Sequence, residues 1–95
     1  MVLARGGGMP GGEQASVGVT VRYWAGARAA AGVDEDAFDH CPTVESVTAA
    51  VVALHPGLEP IVRVSTLLLD GHAVTSQTSL SPGALLEVLP PFAGG

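Results

Sequence analysis

The closing segment of the chain constrains its fold most strongly. Residues Ala84–Leu89, all apolar except Glu87, predict a β-strand. Pro90 and Pro91 must end that strand, because proline has no backbone N–H for the ladder. Gly94 and Gly95 have no Cβ, so they can lie extended in a channel too narrow for any side chain. The sequence therefore predicts a folded body at residues 17–89 and an extended diglycine tail at residues 90–95.

The tail presents the α-carboxylate of Gly95 for chemistry, on a stalk formed by Pro90, Pro91, Phe92 and Ala93. Five or six extended residues reach about 17–20 Å, at roughly 3.3 Å each. A free α-carboxylate has a pKa of about 3.5, so at neutral pH it is ionised and a poor electrophile. Acyl chemistry at Gly95 therefore requires activation, and an ATP-dependent adenylating enzyme is the expected partner. The alternative is an inert, frayed terminus.

Composition excludes several classes of partner and site. The net charge is −5, and the four basic side chains are all arginine, so the chain has no lysine. Such a chain is a poor match for nucleic acid or an anionic membrane. Cys41 is the only cysteine and the three histidines have no ligand spacing, so we expect no disulfide and no metal. We also expect no bound cofactor.

The remaining sequence predicts one domain after a flexible, glycine-rich leader at residues 1–16. That leader lacks the apolar stretch of a signal peptide. The longest apolar run, Ala49–Leu54, is far too short to span a membrane. We therefore expect a soluble, cytoplasmic protein.

Hydrophobic periodicity predicts the elements of the body. The first strand alternates over Val17–Tyr23, and a short helix follows and ends at Gly32. Residues 33–40 predict a polar edge strand. Thr43 is the expected N-cap of the main helix. Its apolar stripe consists of Val44, Val47, Val51 and Leu54.

The second half predicts an irregular stretch from Leu58 and a third strand over Val64–Leu69. The Asp70-Gly71 hairpin leads to a short strand at residues 72–74, and Leu80 anchors the following loop inward. A right-handed crossover through the helix allows the first and last strands to lie side by side and parallel. We predict an α+β domain, with a mixed sheet of four to five strands packed on one main helix.

Several motifs resemble those of the ubiquitin-like sulfur carriers, with the small subunit of molybdopterin synthase as the most similar member. They are Val21-Arg22-Tyr23-Trp24-Ala25 with Arg28 and Ala31-Gly32, Thr43-Val44, Leu69-Asp70-Gly71, and the closing Leu86-Glu87-Val88-Leu89-Pro90-Pro91 with Gly94-Gly95. The resemblance implies a ubiquitin-like β-grasp fold. The chain departs from the family pattern at Ala29, at residues 83–86 and in having no lysine.

The resemblance also implies a reaction cycle. A ubiquitin-activating-like enzyme would use ATP to adenylate Gly95, and a sulfur donor would convert the acyl group to a thiocarboxylate. The larger synthase subunit, expected to form a heterotetramer with the carrier, would use that sulfur on a pterin precursor. Gly94 would keep the tail narrow enough to enter the partner. The isolated chain is then a carrier rather than an enzyme.

Strand alternation predicts a docking surface beside the tail. If Leu86 and Val88 face the helix, Leu85 and Leu89 lie on the outer face near Phe92, and clustered exposed apolar residues tend to mark interfaces. Burial under the loop around Leu80 is the alternative.

Three other side chains are candidate sites. Arg28 could bind a carboxylate of the partner or simply be a solvated arginine. The side chain of Trp24 could cap the core or mark an interface. Cys41 reads as a small, partly buried residue rather than a sulfur relay.

Three alternatives to the molybdopterin role stay open. One is a sulfur carrier for thiazole or cysteine biosynthesis. The second is a ubiquitin-like modifier that forms isopeptide bonds to lysine, and the third is an interaction module with an inert tail.

Overall fold

A computed structural model describes residues 18–91 of the chain. The predicted leader at residues 1–16 lies outside the described residues, as do Val17 and the tail residues Phe92, Ala93, Gly94 and Gly95. The elements in the described part are β1 (Val19–Tyr23), α1 (Ala25–Ala31), β2 (Glu35–Phe38), α2 (Val44–Leu54), a 3₁₀ turn (Pro56–Leu58), α3 (Glu59–Val64), β3 (Thr66–Leu69), β4 (His72–Ala73) and β5 (Leu85–Leu89).

The five strands form one mixed sheet in the order β2-β1-β5-β3-β4. β1 and β5 are parallel and central, as predicted, and the other pairs are antiparallel. The predicted edge strand is confirmed at β2, although it is shorter than the predicted residues 33–40. This arrangement confirms the α+β architecture, and it makes the strand that precedes the tail the middle strand of the sheet.

The core lies between the sheet and α2. Val19, Val21 and Tyr23 of β1 alternate inward, and Leu86 and Val88 do the same on β5. The helix contributes Val44, Val47 and Val51, and the surrounding segments add Ala27, Leu58 and Ala84. Fully burying a valine or leucine side chain stabilises a fold by roughly 1.5–3 kcal/mol. The core is therefore made by the residues whose spacing in the sequence predicted the elements.

Thr43 is the N-cap of α2, as its position before the apolar stripe predicted. Its hydroxyl accepts a hydrogen bond from the backbone N–H of Ser46 (3.2 Å), and the Ser46 hydroxyl accepts one from the Thr43 N–H (3.0 Å). This reciprocal capping satisfies two backbone donors that a helix start otherwise leaves free.

The predictions were wrong at two residues of the body, Leu54 and Val64. Leu54 is 54% exposed rather than part of the buried stripe. His55, one residue further, packs instead against Tyr23, with ring centroids 5.8 Å apart. Val64 ends α3 and is exposed, so the third strand begins only at Thr66.

The stretch from Leu58, predicted to be irregular, is helical, and prolines occupy the first turns of α3 and of the 3₁₀ segment before it. Pro56 lies in the first turn of the 3₁₀ segment and Pro60 in the first turn of α3. At that place the missing N–H costs nothing, and the fixed φ suits a helix. Proline therefore begins these elements rather than breaking them. Within residues 18–91, none of the helices has the length and apolar character needed to cross a membrane.

Candidate functional site

The tail leaves the body from the centre of the sheet. Since β1 and β5 are parallel, both strands end at the same edge, where β1 leads into α1. The backbone N–H of Trp24 donates to the carbonyl oxygen of Val88 (3.2 Å), just before β5 reaches the prolines. Pro90 is half-buried and Pro91 is exposed at a turn. The root of the tail is thus held by a central strand rather than by a free edge.

The outer face of β5, opposite α2, carries the two leucines assigned to docking. Leu86 and Val88 are fully buried on the inner face, whereas Leu85, Glu87 and Leu89 alternate with them and are half-buried. Leu80, which belongs to the loop named as the alternative cover for this face, packs against the core. The placement of Leu85 and Leu89 on the outer face agrees with the prediction, and their role in docking stays a prediction.

Trp24 is also held at the tail end of the sheet. Its indole Nε1–H donates to the Glu87 carboxylate (3.1 Å), and its side chain is 41% exposed. The chain turns into α1 at Ala25, whose φ of 48° lies in the left-handed region that residues other than glycine rarely adopt. The Trp24 side chain is therefore held against β5, the strand that leads into the tail, rather than buried in the core. Sequence reasoning left its role open and missed its partner Glu87, which lies 63 residues away.

Arg28 lines a cleft that opens beside Trp24. The cleft holds about 460 Å³ and is also lined by Arg22, Tyr23, Asp34 and Glu35. Arg28 forms an exposed ion pair with Asp34, Nη1 to Oδ1 3.6 Å, and Arg22 donates to Glu35 at 3.0 Å. Exposed pairs of this kind contribute little to stability. Arg28 is thus close to the tail root and engaged by its own chain, and its contact with a partner remains a prediction.

A partly buried polar network lies on the inner side of the same edge. The Tyr23 hydroxyl donates to Asp36 Oδ2 (2.9 Å), and His55 Nε2 lies 2.7 Å from the same oxygen. Burial raises the pKa of Tyr23, and the hydrogen bond to the Asp36 carboxylate and its negative charge act in the same direction. The network joins β1, the edge strand β2 and the end of α2. Because Tyr23 alternates inward on β1, its hydroxyl needs a hydrogen-bond partner in the folded domain. The sequence does not identify which residue that partner is.

Cys41 lies away from the tail. It is half-buried, and its thiol donates to the backbone carbonyl of Asp39 (Sγ to O 3.5 Å). It lines a separate cleft of about 290 Å³ together with Gly18, the first described residue before β1, and Leu80. The reading of Cys41 as a partly buried small residue fits this position. Among residues 18–91, histidine, cysteine and acidic side chains form no group that could hold a metal ion.

Comparison with known proteins identifies the relatives of this chain. The ThiS family matches residues 21–95, which include the diglycine tail. The molybdopterin synthase sulfur carrier subunit of Chlamydomonas reinhardtii is 30% identical over 81 residues, covering 81% of this chain and 98% of the relative. The match therefore takes in nearly the whole of that carrier subunit.

Solved structures share the fold. SAMP1 of Haloferax volcanii, a small archaeal modifier protein, superposes with a TM-score of 0.72 at 25% identity, covering 81% of this chain and 98% of that one. A putative molybdopterin converting factor subunit 1 of Pyrococcus furiosus gives a TM-score of 0.72 at 26% identity, covering 80% and 99%. These similarities confirm the ubiquitin-like β-grasp fold.

Proposed function

The chain belongs to the ThiS family, and on that premise we propose that it is a sulfur carrier whose Gly95 carboxylate becomes a thiocarboxylate. The observation that carries the proposal is the family match over residues 21–95, a span that holds both the sheet around β5 and the tail itself. The position of the tail root supports it, because a tail that leaves a central strand begins from a firmly held point.

Activation precedes sulfur transfer in this proposal. A Gly95 carboxylate oxygen attacks the α-phosphorus of ATP on a ubiquitin-activating-like enzyme, and pyrophosphate leaves. A hydrosulfide equivalent then attacks the carbonyl carbon, the bond to the phosphate oxygen breaks, and AMP leaves with the electron pair. The product is a thiocarboxylate on Gly95. Activation is needed because a free α-carboxylate is ionised at neutral pH and is then a poor electrophile.

The larger subunit of molybdopterin synthase is the proposed acceptor, in a heterotetramer that passes the sulfur to a pterin precursor in the cytoplasm. The relative from Chlamydomonas is named as a subunit of that synthase, which supports this choice. Leu85 and Leu89, on the outer face of β5, would dock on the partner together with Phe92. Trp24 and Arg28, at the same edge, would border the contact.

Intact mass spectrometry tests the proposed reaction. The chain is incubated with ATP, an adenylating enzyme of this family and a sulfide source. We expect the mass gain of one oxygen-to-sulfur exchange, with none when ATP is left out. A variant that lacks Gly95 is the matched control and should stay unmodified. An unchanged wild-type mass in the complete mixture would contradict the carrier function.

A protein modifier is the second candidate, because the similarity to SAMP1 of Haloferax volcanii favours it. In that role the activated Gly95 would acylate lysine side chains of other proteins. The same incubation distinguishes the two functions when a lysine-rich acceptor protein is added. A modifier gives adducts of higher mass on the acceptor, whereas a carrier gives the thiocarboxylate.

A further inference from the structure

The cationic surface of this chain consists of arginine alone. Its four basic side chains are Arg5, Arg22, Arg28 and Arg63. The three that the structure describes are all exposed and all pair with a carboxylate. Arg22 pairs with Glu35, Arg28 with Asp34, and Arg63 with Glu59 one helical turn away. The chain thus forms its surface ion pairs without any side-chain amine.

This choice of cation matters when the C-terminus is an activated acyl group. A lysine amine has a pKa of about 10.4, so a small fraction is uncharged and nucleophilic near neutral pH. The guanidinium of arginine stays protonated and spreads its charge over a planar group. Arginine can therefore pair with Glu59 or Asp34 as lysine would, without attacking an acyl-adenylate.

Among the other nucleophiles of the described body, Tyr23 is buried and Cys41 half-buried, and acylation of the exposed His40 or His72 would give an acyl-imidazole that water hydrolyses. Tyr23 is 1% exposed and donates its hydroxyl proton to Asp36. Cys41 is half-buried, and its thiol donates to a backbone carbonyl at the edge of β2. A thioester on that thiol could also pass its acyl group on to another thiol, so it would not be a stable product. Stable capture of the tail by a neighbouring copy would therefore require a side-chain amine.

We propose that the body of this carrier is a non-acceptor: its arginine-only surface leaves the activated Gly95 acyl group for an external sulfur nucleophile instead of for a second copy of the chain. The inference rests on the proposed function. The reaction that it excludes is aminolysis. An amine nitrogen would bond to the Gly95 carbonyl carbon, the bond to AMP would break with its electrons leaving on AMP, and the amine would lose a proton.

Arg63→Lys tests this inference, with Arg63→Gln as the matched control. Arg63 lies on α3 with its side chain 69% exposed, and lysine keeps the charge opposite Glu59. The full chain is made as a C-terminal thioester, which is an activated Gly95 that needs no enzyme. It is incubated at pH 9, where roughly 4% of a lysine amine is uncharged. Peptide mapping then counts conjugates at residue 63 separately from those at the N-terminal amine.

We expect conjugates at residue 63 in the lysine variant, and no side-chain conjugates in the wild type or in Arg63→Gln. Equal side-chain conjugation in Arg63→Lys and in the wild type would overturn the inference. This holds if both chains form such conjugates and also if neither does. A second arm uses the adenylating enzyme and ATP without sulfide, and the same pattern is expected. If the enzyme does not adenylate the wild type, the proposed function fails while the thioester arm still decides whether the body is a non-acceptor.

Discussion

The two faces of β5 carry similar residues under different constraints. On the inner face Leu86 and Val88 are fully buried against the helical layer. On the outer face Leu85 and Leu89 are half-buried and flank Glu87, which holds the indole of Trp24. One five-residue strand therefore supports the core with one set of side chains and offers a surface beside the tail with the other. We therefore expect the effect of a substitution in this strand to depend on which face of the sheet the residue occupies.

The largest effect is expected on the inner face. Val88→Asp places a carboxylate where the side chain is fully buried. An unpaired buried charge costs several kcal/mol, a large part of the 5–15 kcal/mol that stabilises a typical domain. We expect loss of the cooperative thermal transition followed by circular dichroism. A folded Val88→Asp variant would show that the inner face is less closely packed than its burial indicates.

A change in the tail should abolish function without touching the core. Gly94→Val adds a β-branched side chain where the proposed partner channel admits only glycine. We expect sulfur loading to fall by orders of magnitude while the thermal midpoint stays the same. Gly94→Ala is the graded control and should have a smaller effect. Normal sulfur loading of Gly94→Val would show that the partner channel does not require glycine at this position.

The outer face should lose binding rather than stability. Leu89 is half-buried in the free domain. We therefore expect Leu89→Asp to lower the free energy of unfolding by about 1 kcal/mol. In a desolvated interface the same charge costs several kcal/mol, which corresponds to an affinity loss of at least about 100-fold. Calorimetric titration with the larger synthase subunit measures this loss of affinity. We expect a similar loss for Phe92→Asp. Wild-type affinity in both variants would move the docking surface elsewhere.

The smallest predicted effect concerns Tyr23 and depends on pH. Its pKa is raised in the folded state, so the unfolded chain loses the phenol proton first, near pH 10. Stability from this group is complete below pH 10 and decreases above it, by up to about 1.4 kcal/mol per pH unit. The chain has one tyrosine, so tyrosinate absorbance reports this group directly. It has no lysine, so no lysine amine adds to the alkaline slope. Tyr23→Phe should remove the alkaline slope, and an equal slope in that variant would assign it to another group.

The strands and the main helix could be predicted because their residues follow local hydrophobic periodicity. Alternation in β1 and β5 and the stripe on α2 identified the buried residues, and Thr43 identified the helix start. The prediction failed for the stretch after Leu58, which was expected to be irregular but folds as α3 with Pro60 in its first turn. It also failed for Leu54, because His55 took the place beside Tyr23.

The polar contacts at the tail edge were beyond sequence reasoning. Trp24 and Glu87 meet only because β1 and β5 are neighbours. Tyr23, Asp36 and His55 meet only because β1 and α2 end beside the start of β2. Local patterns do not encode such pairings. The tail itself was conspicuous in sequence because proline restricts the backbone locally and glycine leaves it free of side-chain hindrance.

The location of the loaded sulfur tests the central claim most directly. Trypsin cleaves after Arg28 and Arg63, so Cys41 and Gly95 fall in different peptides, residues 29–63 and residues 64–95. After incubation with ATP, the adenylating enzyme and sulfide, we expect one oxygen-to-sulfur exchange in the peptide that ends at Gly95 and no change in the peptide that contains Cys41. Sulfur added to the Cys41 peptide, with an unmodified Gly95, would contradict the account and make the thiol the carrier.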